Sequence, residues 1–327
     1  MSKLIAITGI TGTQGGSVAN TYLALPGWKV RGLTRNPSSP KAQEWASKGV
    51  EMVAADLNDL SSLEKALQGA TVIFGVTDFW TIFQDPESMT KKKPGQDITE
   101  YCFEVEVAQG KNLADAVAKI HSLDRFVFSS MASAKTASKG KFGGIWHMES
   151  KAVVVKYIQQ SLPGLKDKFS QIQAPIYYNL LWQWGLPTTP RKDSNGSYII
   201  QGVGPSNILV PFGDVQNDFG QCVKAVVDAK PGTNLLAVGE MLSWDSYLET
   251  WCKSQNVPVG RYVEHTIDSF AQLLPGGLGR EFGENVLFAQ EFAYDGGEAG
   301  VVRPEQFGIG MTSFKEYCEK TDFSSIL

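Results

Sequence analysis

The stretch Lys3–Ser17, KLIAITGITGTQGGS, decides the fold. An apolar run, Leu4-Ile5-Ala6-Ile7, ends at Thr8 and passes at once into Gly9, Gly12 and Gly15, with helix-like residues from Ser17 to Leu25. Strand, glycine turn and helix start follow one another. Glycine supplies positive φ in the tight turn and lets backbone approach a pyrophosphate, while unpaired N–H groups at the helix N-terminus face the anion. With 33 glycines in 327 residues such a spacing arises readily by chance, so the flanking strand and helix carry the reading. The glycines of 276–283 follow a proline instead and read as a loop. A dinucleotide is therefore expected on Gly9, Thr11, Gly12, Thr13, Gln14 and Gly15.

Which dinucleotide is argued from an absence. An NAD site usually carries a carboxylate at the end of the second strand for the ribose 2′-hydroxyl, but no Asp or Glu precedes Glu44. The second strand, Trp28–Leu33, runs instead into Thr34-Arg35-Asn36, with Lys41 just beyond. Arg35 can stack on adenine and pair with a 2′-phosphate and Lys41 can add charge, which favours NADP(H); otherwise both are solvated surface cations.

Outward from this start, the chain alternates. Pro37–Gly49 reads as a helix, Glu51–Ala55 as a strand, Leu60–Gln68 as a helix and Thr71–Val76 as an apolar fourth strand. Asp56 and Leu57 lie at the end of the third strand, Val76 and Thr77 at the end of the fourth. This is the pattern of a doubly wound parallel α/β sheet, whose ligands bind beyond the C-terminal ends of the strands. Phe79 and Trp80 fall at that edge. The stretch from Asp78 to Asp97 reads as irregular and long enough to be a flap. A helix from Thr99 to Ile120 is expected to turn Val105, Ala108, Leu113, Ala116 and Val117 inward, with Gln109 and Asn112 facing cofactor or solvent. The fifth strand, Arg125–Phe128, delivers Ser129-Ser130. Met131–Gly144 reads as a loop, and a helix opens at Trp146 with His147 and Lys151 one turn apart.

These residues resemble a known family. GITGTQGGSV, VRGLTRNPSS, VIFGVTDFW, VAQGKNLADA, FVFSS and HMESKAVVVKYI together are similar to the NmrA-like family, an atypical branch of the short-chain dehydrogenase/reductases, over residues 4–180. In ordinary short-chain reductases a Tyr four residues before a Lys donates the proton, beside a Ser from the fifth strand. Here His147 stands at the Tyr position, Lys151 is retained and Ser130 is available. The resemblance further implies that Ile176 and Tyr178, past a sixth strand Phe169–Ala174, line the nicotinamide pocket. Lys151 can bond the ribose hydroxyls, His147 can relay a proton near neutrality if it faces the substrate, and Ser130 or Tyr178 can position the acceptor or supply the proton instead. Trp182 and Trp184 join Phe79, Trp80, Trp146 and Tyr178 in an aromatic density that reads either as a pocket for a flat substrate or as packing between lobes.

Beyond residue 180, Ser197–Gln201 and Asn207–Val210 read as a hairpin, and a helix to Ala229 returns to the nucleotide fold. The expected division is a dinucleotide-binding Rossmann domain over 1–178 and 212–240, with a smaller mixed α+β substrate lobe over 179–211 and 241–327. A net charge of −4 recruits no nucleic acid, and no apolar segment long enough for a membrane span occurs, so a cytoplasmic protein is expected. Four dispersed cysteines and three dispersed histidines suggest neither disulfide nor metal. Three functions fit: an NADP(H)-dependent reductase of a small aromatic metabolite (C=O, C=N or activated C=C), a non-catalytic NADP(H) sensor acting on a protein partner, or a cyclase holding an iminium or indole-like intermediate.

Overall fold

The computed structural model describes residues 3–183 and 185–327. Its strands are β1 (Lys3–Ile7), β2 (Trp28–Thr34), β3 (Glu51–Ala54), β4 (Val72–Gly75), β5 (Arg125–Ser130), β6 (Phe169–Gln173), β7 (Ile176–Tyr177), β8 (Arg191–Lys192), β9 (Tyr198–Val203), β10 (Val210–Gly213), β11 (Asn234–Leu236), β12 (Glu240–Leu242), β13 (Val259–His265) and β14 (Val301–Val302). Among the described residues a parallel sheet has the order β14-β11-β6-β5-β4-β1-β2-β3. Strand order reverses between β1 and β4, so a crevice opens beyond their C-terminal ends. Thr8 ties those ends together: its hydroxyl accepts from the Val76 N–H at 2.7 Å and is 3.0 Å from the Val76 carbonyl.

The glycine turn is as tight as its sequence requires. Gly9 has φ +62°, and a Cβ on Gly15 would lie 2.3 Å from the Gly9 carbonyl oxygen. The helix therefore begins at Thr13, four residues before the expected start, and ends at Leu23. Its core neighbour on that face of the sheet is the helix Val215–Asp228, packed with Val18, Tyr22, Phe219 and Val223. On the other face the helices Ile98–Ala118 and Trp146–Ser161 cover Phe126 and Phe128. A third, strongly aromatic core (Tyr198, Phe212, Trp244, Tyr247, Trp251, Phe314) lies against two small sheets, β12-β10-β7 and β13-β9-β8.

Several local expectations change. Residues 79–91 are largely helical, and only 92–97 are irregular: Asp78 caps a helix Phe79–Gln84 by accepting from the N–H groups of Trp80 and Thr81, and Asp85 with Pro86 starts another, Pro86–Lys91. These are ordinary N-cap signals, aspartate before the first turn and proline at its start. The expected hairpin between Ser197–Gln201 and Asn207–Val210 does not form. β9 pairs with β13 and β8, while β10 pairs with β12 and β7. The reversal lies earlier, at Asp193–Gly196, where the Asp193 carboxylate accepts from Asn195 and Ser197 N–H. On the helix Ile98–Ala118 the fully buried stripe includes Cys102, Glu106, Gly110, Leu113 and Val117; Ala108 is exposed and Val105 only half-buried. The glycines of 276–283 form a loop only to Gly277, after which the helix Leu278–Phe292 begins. No helix among the described residues is long and apolar enough to cross a membrane.

Candidate active site

One cavity of about 860 Å³ runs from the glycine turn, past the ends of β4 and β5, into a chamber walled by aromatic side chains. Every residue given to the cofactor lines it: Gly9, Thr11, Gly12, Thr13, Gln14, Gly15, Arg35, Lys41, Asp56, Leu57, Val76, Thr77, Lys151 and Ile176. At the outer end no side chain caps the helix Thr13–Leu23, which leaves its first N–H groups directed at the cavity. Arg35 and Lys41 are exposed and make no ion pair among the described residues. Asp56 accepts from the backbone and side-chain N–H of Asn58 at 2.8 and 2.9 Å. Asn112 donates to the Leu57 carbonyl at 2.9 Å and Gln109 to Asn58 at 3.2 Å, so this pair of amides holds the loop after β3. A dinucleotide fits such a cradle: side chains are excluded where Gly9 and Gly15 approach, and Gln14 Oε1 is buried without a partner.

The middle of the cavity is built on a buried carboxylate. Glu106 is fully buried; one oxygen accepts from Lys151 Nζ at 2.5 Å and the other from the Ser150 hydroxyl. Lys151 also donates to the carbonyl and hydroxyl of Thr77, at 3.0 and 3.1 Å. Its ammonium is thus held at the end of β4 by three acceptors. Opposite, at the end of β5, Ser130 Oγ lies buried in the cavity wall with no partner.

His147 is engaged from the other side. Its Nδ1 lies 2.6 Å from Glu281 Oε1, which also accepts the His147 backbone N–H at 2.8 Å, and its Nε2 lies 3.0 Å from Asn285 Nδ2. Both partners come from the helix Leu278–Phe292. Trp80 covers the imidazole, with centroids 5.2 Å apart, and stacks on Phe282 at 5.1 Å. Ser130, His147 and Lys151 all line this cavity, as do Phe79 and Trp80.

Three expected residues are elsewhere. Tyr178, expected in both catalysis and substrate binding, is fully buried in the third core, with its ring parallel to Phe212 and its hydroxyl 3.2 Å from the Thr312 carbonyl. β7 ends at Tyr177 and pairs with β10; the cavity receives Ile176 and Tyr177, while Tyr178, just past the strand, packs into the third core. The Tyr177 hydroxyl takes the Gln14 amide at 2.5 Å, and burial pushes its phenol pKa well above the usual range. Trp146 packs on Phe103 behind the cavity, and Trp182 packs edge-on against Phe323. Trp184 lies outside the described residues. Sequence reasoning missed Glu106, Glu281, Phe282, Asn285 and Tyr294. A carboxylate in the stripe of Cys102, Gly110, Leu113 and Val117 is the signal for Glu106.

The comparisons agree with this architecture. A profile of the NmrA-like family matches residues 1–318. A relative from Aspergillus hancockii, the NmrA-like family domain-containing oxidoreductase hkm9, is 35% identical over 160 residues, 49% of this chain; the match spans 43% of that protein's own length. Among solved structures, NmrA, a negative transcriptional regulator crystallised with NADP, superposes with a TM-score of 0.73 at 19% identity, covering 98% of this chain and 95% of NmrA. Leucoanthocyanidin reductase from Vitis vinifera, solved as its NADPH complex, gives 0.69 at 17%, covering 97% and 98%. Fold and family profile converge, and the chain belongs to the NmrA-like family.

Proposed function

We propose that this chain is a cytoplasmic NADPH-dependent reductase that reduces a C=O, C=N or activated C=C bond of a small, flat, aromatic metabolite. One observation carries the reading: a single cavity joins the glycine cradle to an aromatic chamber, with Lys151 and Ser130 on its wall where the two halves meet. The bound dinucleotide would supply the hydride. Gly9–Gly15 and the first turn after them would hold its pyrophosphate, and Arg35 with Lys41 its 2′-phosphate. Lys151, pre-aimed by Glu106, would exchange its bonds to Thr77 for the ribose hydroxyls, and the unpartnered Ser130 hydroxyl would donate to the acceptor atom of the substrate. His147 acts through Asn285 in this reading, because both of its ring nitrogens already have protein partners.

The test is a titration of NADPH, NADP⁺ and NADH into the full chain, followed by NADPH consumption against menadione, aryl ketones and cyclic imines. Tight NADPH binding with turnover of any of these supports the reading; absence of dinucleotide binding overturns it. A second reading, a redox sensor, is favoured by the fold likeness to NmrA. It requires NADP⁺ and NADPH affinities that differ by more than about tenfold with no turnover, because a ligand shifts a switch only through differential binding.

A further inference from the structure

The set Glu281, His147 and Asn285 has a hydrogen-bond logic that reaches the substrate. Glu281 Oε1 faces both the His147 backbone N–H and Nδ1; an ionised carboxylate only accepts, so Nδ1 carries the ring proton. In the neutral ring Nε2 is then an acceptor, and the group facing it at 3.0 Å must be the Asn285 NH₂. That fixes the amide. Its other end, Asn285 Oδ1, has no donor among the described residues and is not among the sealed polar atoms, while the residue lines the aromatic chamber. Phe282, one position from Glu281, and Val286, one from Asn285, line the same chamber.

We infer that Asn285 is a specificity residue: Glu281 and His147 position its amide oxygen to accept a hydrogen bond from a hydroxyl or N–H on the aromatic substrate. The substrate class narrows accordingly, from flat and aromatic to flat, aromatic and donor-bearing, a phenol or an indole-type N–H compound. This rests on the reading of the chamber as the substrate's place. His147 and Glu281 are positioning residues here, since their partners are in the protein.

The experiment uses the full chain loaded with NADPH and two probe pairs that differ by one donor, 2-naphthol against 2-methoxynaphthalene and indole against 1-methylindole, measured by calorimetry. The native chain is expected to prefer the donor-bearing member by about three- to tenfold, the size of one net hydrogen bond. Asn285→Leu should bring the ratio near one through the donor-bearing probe alone. Asn285→Gln, which keeps both an NH₂ for His147 and an amide oxygen, should retain part of the preference. Equal loss of both probes in Asn285→Leu, or a ratio near one in the native chain for both pairs, overturns the inference. NADPH titrated into Asn285→Leu should bind as tightly as to the native chain. If the native chain binds no NADPH, the reductase reading fails, and the probe ratios measured without it still decide the role of Asn285.

Discussion

At the outer end of the cavity Arg35 and Lys41 stand in solvent with no carboxylate bonded to them, whereas at the inner end Lys151 lies against the buried carboxylate Glu106. In the proposed reading the solvent-facing charges keep their hydration until a phosphate arrives, so they act on affinity and are screened by salt. The inner charges have already lost their water, and their attraction is spent on geometry. Removing one partner there strands the other in a poorly solvated place. In that reading the same sign of charge performs two tasks, recruitment outside and alignment inside.

The contrast breaks most visibly at Glu106. Glu106→Leu should lower the unfolding free energy by about 3–5 kcal/mol, read from urea midpoints, because it leaves the Lys151 ammonium without its carboxylate. Glu106→Leu with Lys151→Met should recover most of that loss. Next in size, Lys151→Ala should reduce kcat by about a hundredfold or more with less than tenfold change in NADPH Kd; equal losses in both would make the lysine a mere binding charge. Arg35→Ala should weaken NADPH about tenfold, leave NADH unchanged and flatten the salt dependence, measured by tryptophan quenching. The smallest effect is a null one at the thiols. Burial, with Glu106 and Glu281 nearby, pushes the Cys102 thiol up to about 12, and burial does the same to Cys222 with help from Asp218. Far below those values both stay protonated, so iodoacetamide at pH 8 should label neither in the folded chain and both after denaturation.

The two ends also differ in what a sequence can reveal. The proposed cofactor contacts fall where strands stop, and strand ends follow from short apolar runs and glycine turns, so positions from Gly9 to Thr77 could be assigned from order, whereas Lys151 and Ile176 rest on the family resemblance. The inner chamber depends on side-chain phase. β7 is two residues long, and one step separates Tyr177, in the cavity, from Tyr178, in the third core. Glu281 and Asn285 reach His147 across more than 130 positions, from a helix whose glycine-rich start resembles a loop. Trp146 and Trp182 show the same limit: aromatic character says that a residue packs, and only the fold says against what.

Gly220 has a consequence for how the chain comes together. Its N–H donates to Ser17 Oγ at 2.9 Å, and a Cβ there would lie 2.2 Å from the Ser17 carbonyl oxygen. The helix that follows the glycine turn is thus seated on a segment made 203 positions later. During synthesis, strands β1 to β6 leave the ribosome with this helix still lacking the surface it packs on, and docking waits for two-thirds of the chain. A contact of such separation folds slowly, since loop closure precedes its reward. Until then the apolar face of Val18 and Tyr22 stays open to solvent, and chaperone dependence in the nascent chain should centre on that face.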